Sequence, residues 1–257
     1  MIELKNIYKY YNPGTVNEMC LFEDFNLNIK KGEFVSVIGS NGSGKTSMLN
    51  LICGSIPLDK GDIIIEGKSI AKLPEYIRNR RIGRVYQNPS LGTCPEMTIL
   101  ENLSLADNKG KNFGLSFGIN KTRLDYYKEI LSGLGLGLEE KLNTKVKSLS
   151  GGQRQALTLL MSTLTPIEFL ILDEHTAALD PKTADLIMEL TDKVVKEKKL
   201  TAIMVTHNLR YAVEYGNRLL MMHQGKAVID KAEEEKTKIT VDDILGKFTE
   251  ISIECGN

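Results

Sequence analysis

Gly39-Ser40-Asn41-Gly42-Ser43-Gly44-Lys45-Thr46 meets every fixed position of the pattern G-x-x-x-x-G-K-[ST]. Ahead of it, Phe34-Val35-Ser36-Val37-Ile38 reads as a buried strand. Behind it, Ser47-Met48-Leu49-Asn50-Leu51-Ile52-Cys53 reads as a helix with Leu49, Ile52 and Cys53 on one face. Strand, glycine-rich loop and helix together are the setting in which this pattern cradles a polyphosphate. Glycines let the backbone wrap closely, with N–H groups turned inward. The helix adds the positive end of its dipole. The Lys45 ammonium then belongs between the β- and γ-phosphates and the Thr46 hydroxyl on Mg²⁺. A glycine-rich turn with a chance lysine would not carry both flanks.

The 257 residues can bury a substantial core. Thirty-three basic and 33 acidic residues give a formal net charge of zero, so no bulk field favours nucleic acid or an anionic membrane. Apolar runs fall far short of the roughly 20 residues of a membrane span. Met1-Ile2-Glu3-Leu4-Lys5 shows no signal-peptide pattern, so the expectation is a soluble, cytosolic chain. Cys20, Cys53, Cys94 and Cys255 are scattered and read as plain buried or partly buried thiols.

Working outward from the loop, Ile2–Lys5 and Leu21–Ile29 read as strands, joined through the turn signal Asn12-Pro13-Gly14-Thr15. Leu58–Asp62 reads as a turn, Ile63–Ile65 as a strand and Glu66-Gly67-Lys68 as a hairpin turn. Ile82–Tyr86 is a further strand, ended at Gln87-Asn88-Pro89, where proline is expected to stop regular structure. From about residue 90 the character becomes helical. Thr98 and Glu101 form a capping box for Met97–Leu103, a polar glycine-rich patch covers Asp107–Gly118, and Thr122–Leu134 is amphipathic. The tail from Lys231 is charged, with Thr240–Asp243 capping a short helix.

Three later stretches carry candidate chemistry. Leu149-Ser150-Gly151-Gly152-Gln153 opens a helix that continues from Arg154, so its serine and glycines stand at a helix N-terminus. Phe169–Leu172 is a buried strand ending in Asp173-Glu174. Carboxylates at the C-terminal end of a parallel strand face the ligand crevice of an open α/β sheet. The first can hold Mg²⁺ through water and the second can hold a water against phosphorus. Ala177–Pro181 turns into a helix reaching about Lys198, and the strand Leu200–Thr206 delivers His207 to a strand end.

Taken together, the chain resembles the ATP-binding-cassette (ABC) nucleotide-binding subunits. The motifs stand in that family's order: phosphate loop 39–46, Gln87, LSGGQ at 149–153, the strand 169–173 followed by Glu174, the turn 177–180, and His207. The resemblance implies an α/β P-loop NTPase fold with a RecA-like core, an antiparallel β subdomain and an inserted helical subdomain. Residues 1–88 and 154–230 would form the core with its β subdomain, 89–153 the helical and signature subdomain, and 231–257 a C-terminal tail helix.

It also implies that two copies pair head to tail with two ATP between them. Gly39, Ser40, Asn41, Gly42, Ser43, Gly44, Lys45, Thr46 and Ser47 would hold one nucleotide, and Ser150, Gly151, Gly152 and Gln153 of the opposite copy would approach its γ-phosphate, with Asp180 at the same interface. Thr46, Gln87 and Asp173 would serve Mg²⁺. Glu174 would be the general base and His207 a γ-phosphate contact, joining Lys45 as the catalytic set. Tyr11, or alternatively Tyr10, would stack on adenine.

The departures are His175 after Glu174, where proline is common, and Ala177 in place of serine. Neither replaces a reacting group. Asn12–Glu18, Glu174–Pro181 and Met221–Gly225 resemble a subgroup of bacterial uptake ATPases assigned to tryptophan, tyrosine or similar solutes. The implied partners are a second copy, an integral permease and, indirectly, an extracytoplasmic solute-binding protein, at the cytoplasmic face of the membrane and without nucleic acid. The alternatives are an exporter ATPase and a soluble cassette ATPase of DNA repair, ribosome or iron–sulfur assembly. The lack of a fused membrane segment, of long heptads and of a second cassette weighs against both.

Overall fold

A computed structural model describes residues 1–111, 118–119 and 121–254. In chain order the elements begin with β1 (Ile2–Tyr11), β2 (Met19–Ile29), β3 (Phe34–Gly39), α1 (Lys45–Cys53), β4 (Lys60–Ile65), β5 (Lys68–Ser69) and α2 (Glu75–Arg78). Next come β6 (Ile82–Val85), α3 (Ile99–Asp107), α4 (Leu124–Ser132), α5 (Gly151–Ser162), β7 (Phe169–Asp173) and α6 (Pro181–Glu197). The chain closes with β8 (Thr201–Val205), α7 (Leu209–Glu214), β9 (Arg218–His223), β10 (Lys226–Ala232), α8 (Glu234–Thr237) and α9 (Val241–Glu254). Contacts divide these into two compact units, Met1–Glu75 with Leu200–Asn257, and Tyr76–Lys199.

The first unit holds an antiparallel sheet in the order β2-β1-β4-β5. It also holds the run β10-β9-β3-β8, in which β3 lies parallel to both β8 and β9. All six residues of β3 and all five of β8 are buried, as unbroken apolar runs in parallel strands require. β1 instead alternates, with Ile2, Leu4 and Ile7 inward, because only one of its faces is covered. α9 packs Ile244 and Ile251, with Phe248, onto Ile38, Ala212, Leu219 and Met221. Full burial of one such isoleucine contributes about 1.5–3 kcal/mol. Lys236 anchors the approach to α9 by donating to the carbonyls of Val213, Tyr215 and Gly216 at the end of α7.

In the second unit β6 and β7 pair in parallel. The Thr98–Glu101 capping box at α3 is present with both reciprocal hydrogen bonds. α4 turns Tyr127 and Leu131 inward, and the Tyr127 hydroxyl donates to buried Asp107 at 3.0 Å. Asp107 also pairs with Arg123 at 2.7 Å, so the carboxylate ties both sides of the glycine-rich stretch together.

Several expectations need correction. Pro89 does not end regular structure. It opens the 3₁₀ turn Pro89–Leu91, a first position that needs no N–H, and Asn88 caps the turn by accepting from the Ser90 amide at 3.0 Å. Lys60, Gly61 and Asp62, read as turn, already belong to β4. The short helix expected in the tail is the 14-residue α9, and Lys231 and Ala232 still belong to β10. Cys53 is buried, but Cys20 and Cys94 are exposed rather than enclosed. Cys255 and residues 112–117 of the Asp107–Gly118 patch lie outside the described residues.

Candidate functional site

In the first unit the candidate residues converge at the C-terminal ends of β3 and β8. Val37 stands opposite Val205, so Gly39 and His207, each two residues further on, leave the strands at one level. The Thr206 amide donates to the Val37 carbonyl at 3.1 Å and fixes the exit. His207 is exposed there, just ahead of Asn208, whose side chain caps α7.

The loop between β3 and α1 is shaped from below. A Cβ on Gly39 would lie 2.2 Å from the Met222 carbonyl oxygen and 2.8 Å from Ser43 Oγ, so only glycine passes that point. The Ser43 carbonyl accepts from the Gly225 amide at 3.0 Å, which ties the loop to the turn between β9 and β10. Ser40, Asn41, Gly42 and Thr46 are exposed, whereas Ser43, Gly44 and Lys45 are buried. Lys45 Nζ donates to the carbonyls of Gly39 at 2.8 Å and Ser40 at 2.9 Å. The loop therefore presents exposed backbone at a helix N-terminus around an ammonium already held in its centre, a cradle suited to anionic oxygens.

Tyr11 belongs to the same cluster. Its hydroxyl shares a 3.1 Å hydrogen bond with Ser47 Oγ, one residue past Thr46, and Lys9 Nζ stands 5.6 Å from its ring centroid. Tyr10, its neighbour in β1, alternates to the other side of the strand.

In the second unit the parallel pairing of Val85 with Leu172 carries two residues onward to set Gln87 level with Glu174, and Tyr86 level with Asp173. Gln155 on α5, 1% exposed, donates from Nε2 to the Tyr86 carbonyl at 3.1 Å and fixes the point where Gln87 leaves β6. Asp173 Oδ2 accepts from Arg84 Nη2 at 2.9 Å. Glu174 has φ 48°, the left-handed region that side chains other than glycine seldom adopt, and its carbonyl accepts from the Ala177 amide at 3.0 Å. The turn keeps Glu174 at the strand end while His175 enters the interior.

His175 is a residue whose role the motif pattern did not disclose. It is 2% exposed, and its Nε2 lies 3.1 Å from Thr191 Oγ1 on α6. Thr191 donates its own proton to the Ile187 carbonyl at 2.7 Å, so Nε2 of His175 must be the protonated nitrogen. Burial lowers the His175 pKa to about 4. A histidine that folds neutral contributes stability above its unfolded pKa of about 6.5 and loses it as pH falls toward 4. Lowering the pH through that window is expected to cost wild type on the order of 3 kcal/mol from this group alone. Denaturant unfolding of wild type against His175→Gln at pH 7 and pH 4.5 checks it. The variant should lose less stability on acidification, and equal losses would contradict the assignment.

The helix tip at Ser150 is built by a second capping box. Ser150 Oγ accepts from the Gln153 amide, and Gln153 Oε1 accepts from the Ser150 amide, both at 3.2 Å. Gln153 Nε2 donates to the Leu136 carbonyl at 3.2 Å. A Cβ on Gly152 would lie 2.3 Å from Thr183 Cγ2, so packing on α6 explains that glycine. Ser150 and Gly151 remain exposed. Asp180 caps α6 by accepting from the Thr183 amide at 3.1 Å, and bonds to Thr183 hold its carboxyl below the usual range.

Among the described residues no group of three or more His, Cys, Asp or Glu forms a metal cage. Gln87 and Asp173, brought level with the ends of paired strands in the second unit, offer an amide and one carboxylate, hard oxygen donors of the kind that suit an ion keeping several waters, as Mg²⁺ does. No helix of the described residues is long and apolar enough to cross a membrane.

The profile of the ABC transporter family matches residues 22–177. A tyrosine transport ATP-binding protein of Clostridioides difficile (strain R20291) is 48% identical over 248 residues, covering 96% of this chain and 98% of that one. A phosphonates import ATP-binding protein, PhnC, of Lactococcus lactis subsp. lactis (strain IL1403) is 30% identical over 251 residues, covering 96% and 99%. Among solved structures, the dimeric post-hydrolysis state of the ATP-binding cassette MJ0796 bound to ADP and Pi matches with TM-score 0.76 at 32% identity, covering 90% of this chain and 98% of that one.

Proposed function

Because this chain belongs to the ABC transporter family as an ATP-binding subunit of importer type, we propose that it powers uptake of tyrosine or a related aromatic amino acid by closing as a pair on two ATP. The substrate class rests on the near-full-length likeness to a tyrosine transport ATP-binding protein. The pairing is supported by the exposed, doubly capped tip at Ser150 and Gly151, which leaves a helix N-terminus turned outward on an otherwise buried helix.

In this reading Gly39 to Ser47 wrap the phosphates of one ATP, and Tyr11 stacks on the adenine. Lys45 leaves the Gly39 and Ser40 carbonyls to take β- and γ-phosphate oxygens. Ser150, Gly151, Gly152 and Gln153 of the second copy close on the γ-phosphate, with Asp180 nearby. Thr46, Gln87 and Asp173 hold Mg²⁺, which when bound neutralises charge on the β- and γ-phosphates. Glu174 accepts the proton of the attacking water at one of its carboxylate oxygens, and His207 donates to the γ-phosphate as negative charge builds there. A separate membrane permease would be moved by this closure at the cytoplasmic face, fed by an extracytoplasmic solute-binding protein.

Deleting the gene in its host tests the transport reading. Uptake of radiolabelled tyrosine, or of another aromatic amino acid, should fall to background. It should return with the wild-type chain and not with Glu174→Gln. Undiminished uptake of every aromatic amino acid would overturn the substrate class.

A further inference from the structure

Arg84 stands in a strand whose other members are Ile82, Gly83 and Val85, and no motif accounts for it. Its Nη2 donates to Asp173 Oδ2 at 2.9 Å, and the two side chains are 10% and 14% exposed. Its guanidinium carbon lies 4.6 Å from the Tyr86 ring centroid, so the side chain is braced by a stacked aromatic at the end of β6. An ion pair this enclosed adds little net stability, since desolvation offsets most of the attraction. Its consequence is instead electrostatic, because the carboxylate assigned to Mg²⁺ already has a cation on one oxygen.

We propose that Arg84 is the resident countercharge of Asp173, and that it weakens the chain's hold on Mg²⁺ and so eases release of Mg²⁺ with the product. This rests on the reading above in which Asp173 serves Mg²⁺. Asp173 would have to serve the ion with one of its oxygens already held by Arg84. A guanidinium on the same poorly hydrated carboxylate would then repel the divalent cation and raise the energy of the bound state. When the ion leaves, Arg84 keeps the carboxylate directed for the next cycle. A residue with only a structural task would act the other way, and its loss would loosen the site and weaken the metal.

The test is the affinity of Mn²⁺ or Mg²⁺ for the ADP complex of the full chain, by electron paramagnetic resonance titration or by calorimetry. Arg84→Gln keeps an N–H donor toward Asp173 but removes the charge, which guards against a variant that fails to fold. It is expected to tighten metal binding about three- to tenfold. Arg84→Met should do the same and Arg84→Lys should stay near wild type. Thermal unfolding gives a second readout. Without metal Arg84→Met should melt below wild type, and Mg²⁺ with ADP should raise its melting temperature by more than it raises that of wild type. Unchanged or weakened metal affinity in Arg84→Gln would overturn the proposal. A wild-type chain that binds ADP with no dependence on divalent metal would overturn both the proposal and the reading beneath it.

Discussion

Glu174→Gln is expected to lower ATP turnover by about 10²–10⁴-fold, the range a positioned general base supplies. Glutamine keeps the shape of the side chain, so the left-handed turn at φ 48° and its 3.0 Å bond from the Ala177 amide should survive. What disappears is a carboxylate able to accept a proton. Glu174 lies at the end of β7 rather than in the phosphate loop, so ATP affinity should stay within about threefold of wild type. Phosphate release measures the first quantity and calorimetry the second. Turnover within tenfold of wild type would remove Glu174 from the chemistry.

Lys45→Ala should act on the other quantity. Lys45 is 5% exposed and its ammonium is bonded to two loop carbonyls, so it is positioned before any phosphate arrives. Charge-assisted hydrogen bonds contribute roughly 1.5–3 kcal/mol each, but ATP must exchange them for those carbonyl bonds, so the net loss is smaller than their sum. ATP affinity is expected to fall on the order of 10- to 100-fold by calorimetry. Part of the effect comes from the loop itself, whose Gly39 and Ser40 carbonyls lose their common donor. Unchanged affinity would contradict the role given to Lys45.

The strand, loop and helix around Lys45 were legible because the residues that form them are neighbours in sequence. The loop from Gly39 to Thr46, its flanking strand and helix, and the helix starts at Thr98, Ser150 and Thr240 are all set by residues within a few positions of one another. Long strands and helices followed from runs and periods for the same reason. Pro89 misled because proline is as apt to open a turn as to end a strand, and only the cap from Asn88 decides between them. The tail helix was recognisable from its capping box and the apolar Ile244 and Phe248, but its length was not, because Ile251 belongs to a cluster with residues of α7 and β9 far back in the chain.

Arg84, Gln155 and His175 were out of reach for a related cause. Each acts through a residue distant in sequence: Asp173, Tyr86 and Thr191. A sign existed for Arg84, a lone charge inside a four-residue strand that ends beside Gln87. His175 offered one too, as a bulky polar residue where the resemblance expects proline. Neither sign says which group the side chain meets. Gly152 shows the converse, since its small size, read as a mark of ligand approach, is also demanded by Thr183 within the chain.

The claim that two copies share their nucleotides is tested most directly by the mass of Glu174→Gln in solution, measured by analytical ultracentrifugation with and without ATP and Mg²⁺. The account predicts a monomer without nucleotide. With it, a particle of two chains should form, holding two ATP and lost when Ser150 is replaced by a bulky residue. A hydrolysis-dead chain that binds ATP and yet sediments as a monomer at every concentration would contradict it.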